Sequence, residues 1–349
     1  MRRQMAWLLP VGAFVMLTCL GTSQPATAAE ACQTRNVSRT FMQLWRADAT
    51  RPPQEWSARF AHLRRLGFSE VILQWTSYGS FVIYSDSRPG YASQSSLDTL
   101  VHTAQQHQIK LWLGLHYDPD FWSNIQGTAH LTDAYLHRRL FEMSMRLNAL
   151  VANVERADPA GETIAGWYIS DEIDDVNWQT LTRRDVLLHY LTALRRLLHD
   201  KRPAWPVIIS GFSNGKQPPQ QWAAFWQDVL QRSGIDTLLF QDGIGVEKLS
   251  LPALEVYLAA LGQRLGPSHN AFGVIVELFT LPAAGSGQTT TEAAAFPRIV
   301  KQLELARAYS RGPITVFSAP DHLLPERGQQ AKKLHMDWAH DRQACHRPM

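Results

Sequence analysis

The sequence predicts an α/β protein of a single domain, a closed (β/α)8 or TIM barrel, and three observations carry that expectation. Eight short, nearly continuous apolar runs recur along the chain, and each is followed by a stretch with helical periodicity. Links from strand to helix are often long and aromatic, whereas links from helix to strand ("GFS", "SGI", "RGP") are short. Continuous apolar runs suit a parallel sheet covered on both faces. A right-handed strand–helix alternation repeated eight times closes most economically as a barrel. The alternative is an open doubly wound sheet, which would carry a glycine-rich phosphate turn after its first strand; "LWRADATRPP" is not one.

Taken in order, the first run is "TFMQLW" (40–45). In the helix after it, Trp56, Phe60, Leu63 and Leu66 recur at helical spacing, Pro52 and Pro53 stand near the start, and Gly67 supplies a stop. "EVILQW" (70–75) leads into the longest loop, "TSYGSFVIYSDSRPGYASQ" (76–94), and then "SSLDTLVHTAQQH". "KLWLGLHY" (110–117) is followed by "DPDFWSNIQGTAH" (118–130) and a long helical pattern, "YLHRRLFEMSMRLNALVANV". The remaining strands are "IAGWYIS" (164–170), "PVIISGF" (206–212), "DTLLFQD" (236–242), "FGVIVEL" (272–278) and "PITVFSA" (313–319). Their helices lie in "RRDVLLHYLTALRRLLHD", "QQWAAFWQDVLQRSG", "LPALEVYLAALGQRLG", "FPRIVKQLELARAYSRG" and near "ERGQQAKKLHMDWAH". A third long strand-to-helix loop, "TLPAAGSGQTT" (280–290), follows the seventh strand. No repeat, low-complexity tract or linker divides the chain.

Composition bounds the partners. Of 349 residues, 45% are hydrophobic and 19% charged, which is globular usage, and the formal net charge is +3. No basic run is dense enough to follow a nucleic-acid backbone, so no nucleic-acid partner is expected. The first residues read as a signal peptide, 1–29: Arg2 and Arg3, an apolar stretch from Met5 to Leu20, then Ala26-Thr27-Ala28 before the cleavage point. The alternative is an uncleaved anchor, for which the stretch is short and interrupted by Pro10. Residues 30–349 are then the barrel, periplasmic or secreted, with no further membrane span and expected as a monomer. Two cysteines remain after cleavage, Cys32 and Cys345, near opposite ends. A closed barrel brings its first and last elements together, so an exported chain would join them as a disulfide; two free thiols are the alternative.

The stretch "IAGWYISDEIDD" (164–175) is a buried-looking strand that delivers acids at its end. Glu172 ends strand four, and Glu277 ends strand seven in "FGVIVEL". An acid inside an apolar strand is costly unless paired or hydrogen-bonded. Strands four and seven lie across a barrel mouth from one another, where active sites of this fold are built. Two carboxyl groups facing each other there suit glycoside hydrolysis, one protonating the leaving oxygen and the other attacking the anomeric carbon or activating water. The bland alternatives are a helix cap for Glu172 and a buried ion pair for Glu277.

This arrangement resembles the large clan of barrel glycosidases with an acid/base Glu after strand four and a nucleophile Glu after strand seven. The resemblance implies a retaining, cofactor-independent mechanism with Glu172 as acid/base and Glu277 as nucleophile. One position departs: the clan carries Asn just before the acid/base Glu, where this chain has Asp171. "GWYISDEID", with "LQW" upstream and "FQDGIG" downstream, is also similar to an uncharacterised bacterial family of candidate glycosyl hydrolases.

Period-two alternation supplies further candidates. With Glu172 inward, Tyr168 and Ser170 point inward too, and Gln74, His116 and Gln241 stand at strand ends. Asp171 and Asp242 are acids beside them, Asp242 also suiting an Asp-Gly turn. Trp75, Tyr78, Tyr117 and Trp122 lie just past strand ends, where rings stack on sugar faces or pack the barrel. A polysaccharide or oligosaccharide, such as an exopolysaccharide, is the expected substrate. Two other classes stay open: a non-catalytic sugar-binding barrel, and a metal-dependent hydrolase or deacetylase using His116, Asp118 and Asp120 of "HYDPD". The leading reading requires no metal.

Overall fold

Strand β1 (Arg39–Met42) pairs in parallel with β2 (Glu70–Leu73). Pairing continues in chain order through β3 (Lys110–Gly114), β4 (Ile164–Ile173), β5 (Val207–Gly211), β6 (Thr237–Gln241) and β7 (Phe272–Glu277) to β8 (Ile314–Phe317). β8 returns to β1 and closes the sheet. The eight expected strands are therefore the eight staves of a (β/α)8 barrel. The computed structural model describes residues 37–85, 95–266, 272–282 and 290–346; the expected signal segment and Cys32 lie outside the described residues.

The outer layer consists of α1 (Pro53–Arg65), α2 (Ser96–Gln106), α3 (Ala129–Ala157), α4 (Leu181–Lys201), α5 (Pro219–Ser233), α6 (Leu251–Leu265), α7 (Phe296–Tyr309) and α8 (Gln329–His346). Their starts are written locally. The side chains of Ser95, Thr128, Thr180 and Ser250 each accept a backbone N–H of the first turn of α2, α3, α4 and α6, a cap whose loss costs about 1 kcal/mol. Pro53 opens α1, and Gly67, just past its end, has φ +95°, a conformation that glycine adopts without strain.

Each strand sends one residue into the barrel interior: Phe41, Ile72, Trp112, Tyr168, Ile208, Leu239, Ile275 and Phe317 pack on one another. Burying such side chains stabilises by roughly 1.5–3 kcal/mol each. At the strand starts, Arg39 pairs with Glu70 at 2.5 Å, Trp112 Nε1 donates to Glu70 at 2.8 Å, and the guanidinium of Arg39 lies 4.6 Å from the Trp112 ring centroid. Charge and aromatic packing fill this end, and the cavity lies at the opposite one.

Two strand ends differ from expectation. β3 stops at Gly114, and His116–Tyr117 pairs instead with Ser77–Tyr78, which also pairs with Phe81–Val82. A Cβ on Gly114 would stand 2.2 Å from the Leu73 carbonyl oxygen, so this crossing requires glycine. β4 runs three residues past Ser170 and contains a bulge. Between Ile169 and Ile173 it advances four residues while β5 advances two, from Ile209 to Gly211. The surplus is even, so alternation survives: Ile169 and Ile173 both join the core between strands and helices, while Tyr168 and Glu172 face the barrel axis. A smaller irregularity falls at Ala165, where Leu111 pairs with Ile164 but Trp112 with Gly166. A Cβ on Gly166 would meet Pro206 O at 2.5 Å and the Trp112 ring at 2.6 Å, which explains the glycine of "GWY".

Candidate active site

Glu277 is the last residue of β7. Its Oε2 accepts from the backbone N–H groups of Gly245 (2.6 Å) and Val246 (3.1 Å), in the loop after β6. A Cβ at position 245 would stand 2.9 Å from that oxygen and 2.5 Å from the Phe279 carbonyl oxygen, so the second glycine of "QDGIG" is needed for the approach. Arg298 of α7 donates to the carbonyl oxygens of Glu277 (2.9 Å) and Phe279 (2.6 Å). Burial pushes the Glu277 carboxyl up, opposed by the two N–H donors and by the charges of Lys248 and Arg298.

Glu172 reaches the same space from the β4 bulge. Its Oε1 accepts from Gln241 Nε2 at 2.7 Å. Burial raises its pKa, against the Gln241 hydrogen bond and the Lys248 charge.

The two glutamates line one cavity of about 230 Å³ at the mouth, with Gln74, Tyr168, Gln241, Trp122, Phe212 and Lys248 among its walls. That is below the usual lower bound of small-molecule pockets, about 300 Å³, and matches one sugar ring better than several. Tyr168 forms part of the lining and shares a 2.7 Å hydrogen bond with Ser210. Gln74 is fixed by Gln43 Nε2, which donates to its Oε1 at 2.8 Å.

Of the ten catalytic and principal binding candidates from the sequence, Glu172, Glu277, Gln74, Tyr168 and Gln241 meet in this cavity, joined by Trp122, one of the further rings named past strand ends. The other five do not line it. Asp171 faces outward, as the residue before an inward Glu172 must: it pairs with Arg139 of α3 at 2.5 Å and accepts from Tyr190 of α4 at 2.6 Å. Asp242 is fully buried beneath Glu277, accepting from Gln302 Nε2 and Ile244 N. Burial, then the Glu277 charge, pushes it well above the carboxylate range. Trp75 is buried and donates Nε1 to the Leu44 carbonyl oxygen at 2.6 Å. His116 lies 3.0 Å from Ser77 Oγ, and burial with the charges of Arg146 and Arg139 pushes it down to about 3, so it is neutral at physiological pH. Tyr117 stacks on Tyr78 with centroids 5.6 Å apart. Asp118 accepts from Tyr135 OH at 2.8 Å, and among the described residues no group of three His, Cys, Asp or Glu is placed to hold a metal ion.

Arg139 and Lys248 escaped the sequence reading, and Asp175, the last acid of "SDEIDD", reads there as a loop or capping acid. Arg139 was signalled by phase, since it falls among Thr132, Tyr135, Leu136, Met143 and Leu147 on the buried stripe of α3. Asp175 organises the mouth: its carboxylate accepts from Ser213 Oγ (2.7 Å), Asn214 N (2.8 Å) and Lys216 N (2.8 Å), tying the loop after β4 to the loop after β5. Burial would raise Asp175, but these donors hold it below its ordinary value. Lys248, in the loop after β6, gave no periodic signal at all.

A family model for a domain of unknown function, DUF4434, matches residues 37–329. The chain is 35% identical over 237 residues to the uncharacterized protein YbcH of Escherichia coli (strain K12), covering 68% of this chain and 74% of that protein. Among solved structures, a candidate alpha-L-fucosidase from Bacteroides thetaiotaomicron VPI-5482 superposes with a TM-score of 0.66 at 19% identity, covering 88% of this chain and 94% of that one. An endo-1,4-beta-mannanase from Rhizomucor miehei follows with a TM-score of 0.54 at 15% identity, covering 88% and 95%. At these identities the likeness is one of fold.

Proposed function

This chain belongs to the DUF4434 family, and from that premise we propose that it is an exported glycoside hydrolase acting on a polysaccharide through Glu172 and Glu277. The observation that carries the reading is that two glutamates from the ends of β4 and β7 line one mouth cavity. Glycosidase-like barrels among the structural neighbours support it, and the signal-like first 29 residues motivate export.

In this mechanism Glu172, whose pKa is raised by burial, gives its proton to the leaving glycosidic oxygen. Glu277 attacks the anomeric carbon as the bond to that oxygen breaks, forming a glycosyl ester on its carboxylate. Glu172, now ionised, takes a proton from water as the water oxygen attacks the same carbon and frees Glu277. The backbone N–H groups of Gly245 and Val246 fix Glu277 for attack without occupying both its oxygens. Gln241 orients Glu172.

The test is Glu277→Gln on purified protein against a panel of polysaccharides, with turnover, sugar binding and melting temperature measured together. Turnover should fall by a factor of about 10³ or more with binding and melting retained, because the swap keeps shape and removes the nucleophilic charge. A variant with wild-type turnover, or one whose only defect is loss of stability, overturns the assignment.

A further inference from the structure

Lys248 takes no bond-making part in the two-glutamate chemistry as described, yet among the described residues it is the only cation lining the cavity. It stands on the rim, exposed, and its Nζ lies 3.3 Å from the centroid of Phe212, another wall residue. Both glutamates feel its charge, but among the described residues its ammonium makes no ion pair within 4.0 Å and no hydrogen bond. Neither glutamate depends on it for satisfaction, since Gln241 serves Glu172 and the Gly245 and Val246 amides serve Glu277. An ammonium carries three donors, and among the described residues no protein group accepts from them.

The charge is also of the wrong sign for a neutral sugar. Glycoside cleavage develops positive charge at the anomeric centre, and a fixed cation in the same cavity opposes it. An anion on the substrate, seated on Lys248, would cancel that opposition and accept from its ammonium.

We propose that the cavity takes a sugar bearing an anionic substituent, with Lys248 as the residue that binds the anion. The shared chemistry is an oxyanion on a pyranose, either the carboxylate of a uronic acid or a sulfate ester. The inference deepens the hydrolase reading and rests on the cavity being a sugar site.

The experiment measures binding apart from turnover. Wild type, Lys248→Gln and Lys248→Arg are titrated calorimetrically with uronic-acid oligosaccharides, the same oligosaccharides after reduction of their carboxyls, sulfated oligosaccharides, and their desulfated counterparts. Wild type should prefer one acidic ligand over its neutral counterpart by about 10- to 100-fold, as loss of a charge-assisted hydrogen bond implies. Lys248→Gln should erase that preference, and Lys248→Arg should retain most of it. Which acidic series shows the effect identifies the substituent. Equal affinity for acidic and neutral ligands, or a preference that survives Lys248→Gln, overturns the proposal. Acidic binding without cleavage would keep this inference and sink the hydrolase; cleavage of neutral sugars untouched by Lys248→Gln would do the reverse.

Discussion

Replacing Asp171 with alanine should unfold the barrel more readily and leave sugar recognition in the folded fraction intact. Arg139 is 0% and Asp171 1% exposed, and the pair is 2.5 Å apart. Among the described residues Arg139 Nε and Nη1 have no hydrogen-bond partner, so without Asp171 the guanidinium would keep only the His116 carbonyl oxygen, 3.0 Å from Nη2. Tyr190 OH would lose its acceptor as well. Stranding one member of a buried pair costs about 3–5 kcal/mol. A barrel of about 300 residues unfolds with an entropy near 0.6 kcal/mol per degree, so the melting temperature should drop by about 5–8 °C. Differential scanning calorimetry on wild type, D171A, R139M and the double variant R139M/D171L reads this directly. The double variant should recover most of the loss, because removing both charges with apolar replacements is close to neutral. If D171A melted within a degree of wild type and instead weakened sugar binding, Asp171 would be a substrate ligand and the outward geometry argument would be wrong.

Three further outcomes follow from the site. Glu172 has its pKa raised by burial, so the folded state binds its proton more tightly than the unfolded chain does. The stability linked to that proton is present below the unfolded value, about 4.3, and is lost as pH rises through the folded one. Glu172→Gln should therefore melt higher than wild type once pH exceeds the folded value and converge with it as pH falls to the unfolded one, and the alkaline limb of activity should track the same group. Gly245→Ala puts a Cβ 2.9 Å from Glu277 Oε2 and 2.5 Å from the Phe279 carbonyl oxygen; overpacking of this kind costs about 1–3 kcal/mol, and kcat should fall at least tenfold on any substrate found, with a small change in KM. Thiol titration of the mature protein under denaturing conditions should find none, since Cys32 is expected to be joined to Cys345; two thiols per chain would refute the disulfide.

The barrel was legible because parallel staves buried on both faces cannot hide their composition: runs such as "EVILQW" and "FGVIVEL" have only one comfortable place in a fold. Glu172 and Glu277 were legible for the complementary reason, that an acid ending such a run needs an explanation. Distances along the chain hid the remainder. Asp171 meets Arg139 across 32 residues: alternation turns it away from an inward Glu172, but the partner that holds it outward lies too far along the chain to be read locally. The turn "QDGIG" was readable as a turn, but its use was not: its amides, and not the Asp242 carboxylate, reach the site. Lys248 belongs to an aperiodic loop, where sequence pattern carries no direction.

The even surplus in β4 bears on how such a protein tolerates insertion and deletion. Removing one residue from 170–172 would reverse the facing of everything beyond, sending an acid into the apolar helix layer and an isoleucine to the mouth. Removing two would restore a regular stave and keep every later residue on its proper side. The bulge is therefore a two-residue insertion, one carboxylate anchored outward on Arg139 and one delivered inward, and a barrel lacking both keeps its alternation only if Arg139 is also replaced by an apolar side chain. Gain or loss of chemistry on this frame is accordingly expected in steps of two residues, and a single-residue gap at this point in an alignment would mark a misalignment sooner than an ancestor.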